Sequence, residues 1–109
     1  MVNRNTMQES SIKKIESEKL LEKKLRETIE SRTGGLCVKL LPQNNRGFPD
    51  RLCLLPGGIV FFVEVKTTGK KPTRIQQIIH AQLQRLGFRV YILDSSQIID
   101  DILRFYGYE

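Results

Sequence analysis

The run Asp50-Arg51-Leu52-Cys53-Leu54-Leu55-Pro56-Gly57-Gly58-Ile59-Val60-Phe61-Phe62-Val63-Glu64-Val65-Lys66 decides how this chain folds. Two apolar segments of strand length flank Pro-Gly-Gly, a turn sequence, so the run reads as an antiparallel hairpin. An acid stands at the start of its first strand, and Glu-x-Lys closes the second. Folding back over the turn brings those two ends together, and the 13 residues between Asp50 and Glu64 are the right length for it. Strand side chains alternate, so Phe62, Glu64 and Lys66 share one side while Phe61, Val63 and Val65 share the other. Residues 59–63 are wholly apolar, which suits a central strand buried on both faces. Two charges at the end of such a strand are costly unless they are paired or bound to something.

The segment before Asp50 looks built to aim it. Pro49 fixes its own φ and pushes Phe48 to an extended conformation. Gly47, without a side chain, leaves room for close approach by a backbone or by a nucleic-acid strand. Taken singly, Asp50 is ordinary turn chemistry, and Glu64 with Lys66 is an ion pair at a frayed strand end. Their meeting at one end of one hairpin points instead to a site. Adjacent carboxylates repel each other, and a divalent cation between them removes that penalty. Hard oxygen donors suit magnesium, or manganese in its place, with the Val65 carbonyl as a third protein ligand. Lys66 would then orient or deprotonate a water and offset charge developing on a phosphate.

Working outward, the spacing predicts a first helix from near Ser10 or Ser11 to about Ser31, with Ile15, Leu21, Leu25 and Ile29 at near-helical intervals. Gly34-Gly35 stops it, and Leu36 to Leu41 reads as a strand. After the hairpin comes a basic loop. Thr73 can cap a helix running to about Leu86 and ending at Gly87. Phe88 to Leu93 forms a further strand, and Asp94 or Ser95 caps a last helix with Ile98, Ile99, Ile102, Leu103 and Phe105 on its apolar side. The order is α-β-β-β-α-β-α, and the strand-helix-strand unit within it should be a parallel crossover. A single α/β domain over residues 11–109 is expected, with a mixed central sheet flanked by helices. Residues 1–10 read as a flexible leader.

A net charge of +6 favours a polyanionic partner. Its distribution strengthens that reading. Residues 66–89 hold six basic side chains and no acid, whereas residues 1–33 mix eight basic with six acidic, as a solvated helix surface would. Lys70, Lys71 and Arg74 flank the proposed site and are candidates for phosphate contacts, with plain solvated loop charge as the alternative. Cys37 and Cys53 sit in apolar strand runs and are expected to be buried, reduced thiols; no Cys/His cluster suggests zinc. No apolar run approaches the roughly 18 residues of a membrane span, and the N-terminal stretch lacks a signal-peptide core. A cytoplasmic protein is expected. His80, the sole histidine, falls mid-helix and is expected on the surface or half-buried. Tyr106 and Tyr108 are expected to pack the chain end, with stacking on bases as the alternative.

Asp50…Glu64-Val65-Lys66 resembles the PD-(D/E)xK nuclease superfamily. The fuller pattern is similar to its VRR-NUC branch: a leading helix with Glu, Arg46-Gly47-Phe48-Pro49-Asp50-Arg51, Leu-Pro-Gly-Gly, Val63-Glu64-Val65-Lys66, a Gln opening the next helix, and Leu86-Gly87-Phe88-Arg89-Val90-Tyr91. The likeness spans residues 15 to 103 or so. It implies a restriction-endonuclease-like fold. By it, Asp50 and Glu64 match the metal-binding acids and Lys66 the catalytic lysine. The helix glutamine matches Gln76, with Gln77 as rival, and would position Lys66 or the water; the first-helix glutamate matches Glu22, with Glu18 as rival, and would help hold the metal or its water shell. Arg46 joins Lys70, Lys71 and Arg74 as an expected DNA contact. The resemblance further implies a homodimer that cuts four-way DNA junctions, with no small-molecule cofactor. A non-catalytic nucleic-acid-binding module and a subunit active only in a larger assembly remain the alternatives.

Overall fold

The structure, a computed structural model, describes residues 14–41 and 46–109. The expected leader at residues 1–10 lies outside them. Among the described residues seven elements follow in the order expected: α1 (Glu18–Thr33), β1 (Leu36–Lys39), β2 (Arg51–Leu55), β3 (Ile59–Val65), α2 (Arg74–Arg85), β4 (Arg89–Leu93) and α3 (Ser96–Phe105). The strands form one sheet ordered β1-β2-β3-β4. The first three run antiparallel, and β4 joins β3 in parallel through the α2 crossover.

The hairpin is set by its turn and its pattern together. Gly57 and Gly58 both adopt left-handed backbone, φ 85° and 79°, where a side chain would be strained. Pairing then runs from Leu55↔Ile59 to Arg51↔Val63. In this register Phe61, Val63 and Val65 enter the main core with Leu21, Leu25 and Ile29 of α1 and Ile99, Ile102 and Leu103 of α3. The opposite face carries Phe62 and Glu64, and α2 covers it through Gln76 and His80. Cys37 and Cys53, paired across β1 and β2, are both free and buried, with sulfurs 3.9 Å apart. Tyr106 stacks on Phe61 and Tyr108 packs against the core, as end-packing requires.

The expected helix start near Ser10 or Ser11 lies outside the described residues, and within them α1 begins only at Glu18. Residues 14–17 are not helical, Ile15 is exposed, and Ser17 caps α1 by accepting the Leu20 amide. The cause lies far away in sequence. Glu16 is buried and accepts hydrogen bonds from the Ser96 amide (2.8 Å), the Ser96 hydroxyl and Lys24 Nζ (2.9 Å). Its own amide donates to Thr68 Oγ1 at 2.9 Å, and Thr68 Oγ1 donates to the Asp94 carbonyl at 2.7 Å. Glu16 thereby supplies the cap that Ser95 does not make for α3 and ties the loop after β3 to both helices. A helix through Glu16 would break all of these contacts.

Gly47 resolves one alternative left open by its lack of a side chain. It has φ 87°, and a Cβ there would stand 2.6 Å from Ile75 Cγ2 and 2.8 Å from the Ile75 carbonyl oxygen. The close neighbour is the first turn of α2.

Two outcomes are expected. Gly47→Ala meets backbone as well as an unfavourable φ, and should lower stability by about 2 kcal/mol or more in urea unfolding. Glu16→Gln should cost about 2 kcal/mol at neutral pH. The Ser96 and Lys24 bonds hold Glu16 at about 2, below the usual 4.5. A depressed carboxylate stabilises the fold above its unfolded value and stops doing so as pH falls through its folded value. The gap between wild type and Glu16→Gln should therefore shrink between pH 4.5 and 2, as thermal melts at stepped pH would reveal.

Candidate active site

Asp50 lies one residue before β2, and its carboxylate continues the ladder in place of a backbone group. Val65 N–H donates to Asp50 Oδ2 at 2.8 Å, while the Asp50 carbonyl accepts the Leu40 amide at 2.9 Å. Pro49 is fully buried, and Phe48 packs edge-on against Phe62, with centroids 5.7 Å apart. Backbone and ring packing thus hold the acid from both sides.

Glu64, next along β3 and 1% exposed, turns its carboxyl to the α2 face. Gln76 Nε2 donates to Glu64 Oε2 at 3.1 Å, and Lys66 Nζ lies 3.6 Å from the same oxygen. The other oxygen, Oε1, has no hydrogen-bond partner among the described residues. Burial, then the facing Asp50 carboxylate, push Glu64 up to about 8, with Lys66 opposing. The backbone of Lys66 is tied to β4, its amide donating to the Leu93 carbonyl at 2.9 Å.

Gln76 and Gln77 are separated by this geometry. The Gln76 carboxamide accepts the Thr73 amide at 2.8 Å, completing a reciprocal cap on α2, while its nitrogen reaches Glu64. Gln77 is exposed and donates to the Pro72 carbonyl at 3.1 Å. Glu22 and Glu18 also part company, though neither joins the acids. Glu18 is exposed in the first turn of α1. Glu22 Oε1 accepts Arg51 Nε at 2.8 Å, and Arg51 Nη1 donates to the Cys37 carbonyl at 3.1 Å. Arg51 pairs with Val63, so it projects on the face away from Glu64. Among the described residues no three His, Cys, Asp or Glu side chains gather at one point.

Arg46, Lys70, Lys71 and Arg74 are all exposed, and none of them pairs with an acid among the described residues. The last three stand in the loop leading from Lys66 into the first turn of α2. His80 is a correction. The expected surface or half-buried residue is 6% exposed, with Nε2 3.4 Å from Glu64 Oε1. Burial, and then the Lys66 charge, hold its pKa below the usual value. The signal was its spacing: Gln76, His80 and Leu83 fall on one helical stripe, and that stripe faces the sheet.

These donors fit a divalent cation. Two carboxyls face one another, and burial together with the opposing charge raises one of them. A hard dication is the kind of group that relieves both.

No family model matches the chain. A curated relative named "Putative nuclease p44", from Acyrthosiphon pisum secondary endosymbiont phage 1, is 46% identical over 65 residues, which are 60% of this chain and 70% of that protein. A solved structure described as "VRR_NUC domain" superposes with a TM-score of 0.76 at 31% identity, covering 84% of this chain and 99% of that one. The hairpin with its acid, Glu-x-Lys and α2 glutamine is thus found in a chain that belongs to the VRR-NUC branch of the PD-(D/E)xK nuclease superfamily.

Proposed function

We propose that the protein is a divalent-metal-dependent endonuclease acting on branched DNA, most specifically a four-way junction resolvase working as a homodimer in the cytoplasm. The observation that carries the hydrolytic reading is the buried Glu64 carboxyl, raised by its burial and by the opposing Asp50 carboxylate, with Lys66 Nζ 3.6 Å from one of its oxygens.

Asp50, Glu64 and the Val65 carbonyl would hold magnesium, or manganese in its place. When bound, the cation would supply a charge that keeps both carboxylates ionised and would ease loss of a proton from a water, giving the nucleophile for a phosphate. Lys66 would orient or deprotonate the attacking water and offset the charge gained by the phosphate. Gln76 fixes Glu64 Oε2, the oxygen nearest Lys66, so that acid and amine keep their spacing. The Glu22 bond to Arg51 supports a role in bracing the strand next to Asp50. Arg46, Lys70, Lys71 and Arg74 track the DNA backbone; their exposure and lack of acidic partners among the described residues favour it.

Symmetry and size support selection of branched DNA. A two-fold dimer offers two sites to a two-fold junction. A domain of 109 residues has little surface with which to read sequence, so shape is the feature it can use. Free thiols at Cys37 and Cys53 suit a reducing compartment, and among the described residues no helix is long and apolar enough to cross a membrane.

The test is cleavage of synthetic junction, flap and linear duplex DNAs by the purified chain, with magnesium, manganese or chelator, beside its mass by sedimentation. Junctions should be cut fastest, only with metal, by a dimer. Asp50→Ala, Glu64→Ala and Lys66→Ala should each slow cleavage roughly a hundredfold or more. Unchanged cleavage by Lys66→Ala would sink the mechanism, and equal rates on all three DNAs would remove the junction assignment. Gln76→Ala should lower the rate about tenfold or more, whereas Gln77→Ala should stay near wild type.

A further inference from the structure

His80 has no part in the chemistry proposed above, yet it is buried against the acid at the centre of it. One turn of α2 separates it from Gln76, so both side chains leave the helix on the stripe facing β3. They divide the Glu64 carboxyl between them. Gln76 Nε2 donates to Oε2 at 3.1 Å, and His80 Nε2 stands 3.4 Å from Oε1.

Neither Glu64 Oε1 nor His80 Nε2 has another partner among the described residues, although both atoms are fully buried. Buried polar atoms left unpaired are costly, and a native structure keeps few of them. Here the two orphans face each other. Their separation exceeds a good N–H···O bond by only a few tenths of an ångström. The last torsion of a glutamate is soft, so a small rotation of the carboxyl closes the gap. Gripped at Oε2 alone, the carboxyl can swing about that torsion. Gripped at both oxygens, it cannot.

We infer that His80 is a positioning residue for metal binding: its Nε2–H donates to Glu64 Oε1 and, with Gln76 on the other oxygen, locks the plane of the ligand carboxylate. This rests on Glu64 being a metal ligand as proposed above. Partners of a ligand that fix its orientation govern metal affinity by about 10- to 100-fold.

The experiment is calorimetric titration of the full chain with manganese and, separately, with magnesium, alongside thermal unfolding without metal. His80→Leu keeps an apolar side chain of moderate size and removes the donor. It should weaken both metals by the same factor, about 10- to 100-fold. His80→Gln, whose terminal amide reaches about as far as Nε2, should recover affinity to within roughly threefold of wild type. If His80→Leu does not fold, His80→Asn, too short to reach Oε1, takes its place. A purely structural role would lower the unfolding temperature and leave both affinities unchanged, and that result overturns the inference. So does a loss confined to manganese and not rescued by Gln, which would mark direct ligation by the imidazole. Should wild type take up neither metal, the metal-site reading of Glu64 fails as well. Tight binding by wild type that is indifferent to His80→Leu removes only the role of His80.

Discussion

Val65 donates its amide proton to the Asp50 carboxylate across 2.8 Å, one step beyond the last strand pair of the hairpin, Arg51↔Val63. This bond and the register of β2 on β3 are a single constraint. A slip of one residue would turn every side chain of β3 to the other face. Glu64 would then point among Leu21, Leu25 and Leu103, where a carboxyl would find no donor. As built, the apolar side of β3 completes the core and the acid meets the polar stripe of α2. Core packing and site assembly therefore select the same pairing, and neither could be altered without the other.

Two buried glutamates show how neighbours divide structural from chemical use of one residue type. Glu16 is surrounded by donors, two from Ser96 and one from Lys24, and lies far below its usual pKa. Glu64 is as well buried but has only Gln76 as close as 3.1 Å, with His80 at 3.4 Å, Lys66 at 3.6 Å and a second carboxylate opposing it, and lies far above. The first arrangement lowers the free energy of the folded state and is an anchor. The second keeps a carboxyl under electrostatic tension, the condition expected where a ligand is to be received.

The hairpin, the crossover and the order of elements were legible because their signals are local: a Pro-Gly-Gly turn, the apolar run of β3, a threonine before α2. What escaped reading is non-local. The start of α1 is set by contacts between Glu16 and Ser96, 80 positions apart. The mixed charges ahead of Ser17 look like ordinary exposed helix surface. On α2, hydropathy alone favours Ile75 and Ile78 as the inward residues. The structure exposes both and turns Gln76 and His80 inward, because Glu64 on the facing strand needs polar company. Gln76 and Glu22 came into view through family resemblance. Spacing left Gln77 and Glu18 open, and only the contacts of each side chain separate them.

The segment leading into Asp50 leans on Ile75 with no space for even one methyl group at residue 47. It behaves as a shim of fixed thickness between α2 and the hairpin. Gln76 follows Ile75 directly, so the shim sets the distance between the two halves of the site and offers no way to adjust it by small steps. Diversification of what such a nuclease cuts is therefore channelled away from this contact and into the exposed part of the following loop at Lys70 and Lys71, where side chains can change without shifting either acid.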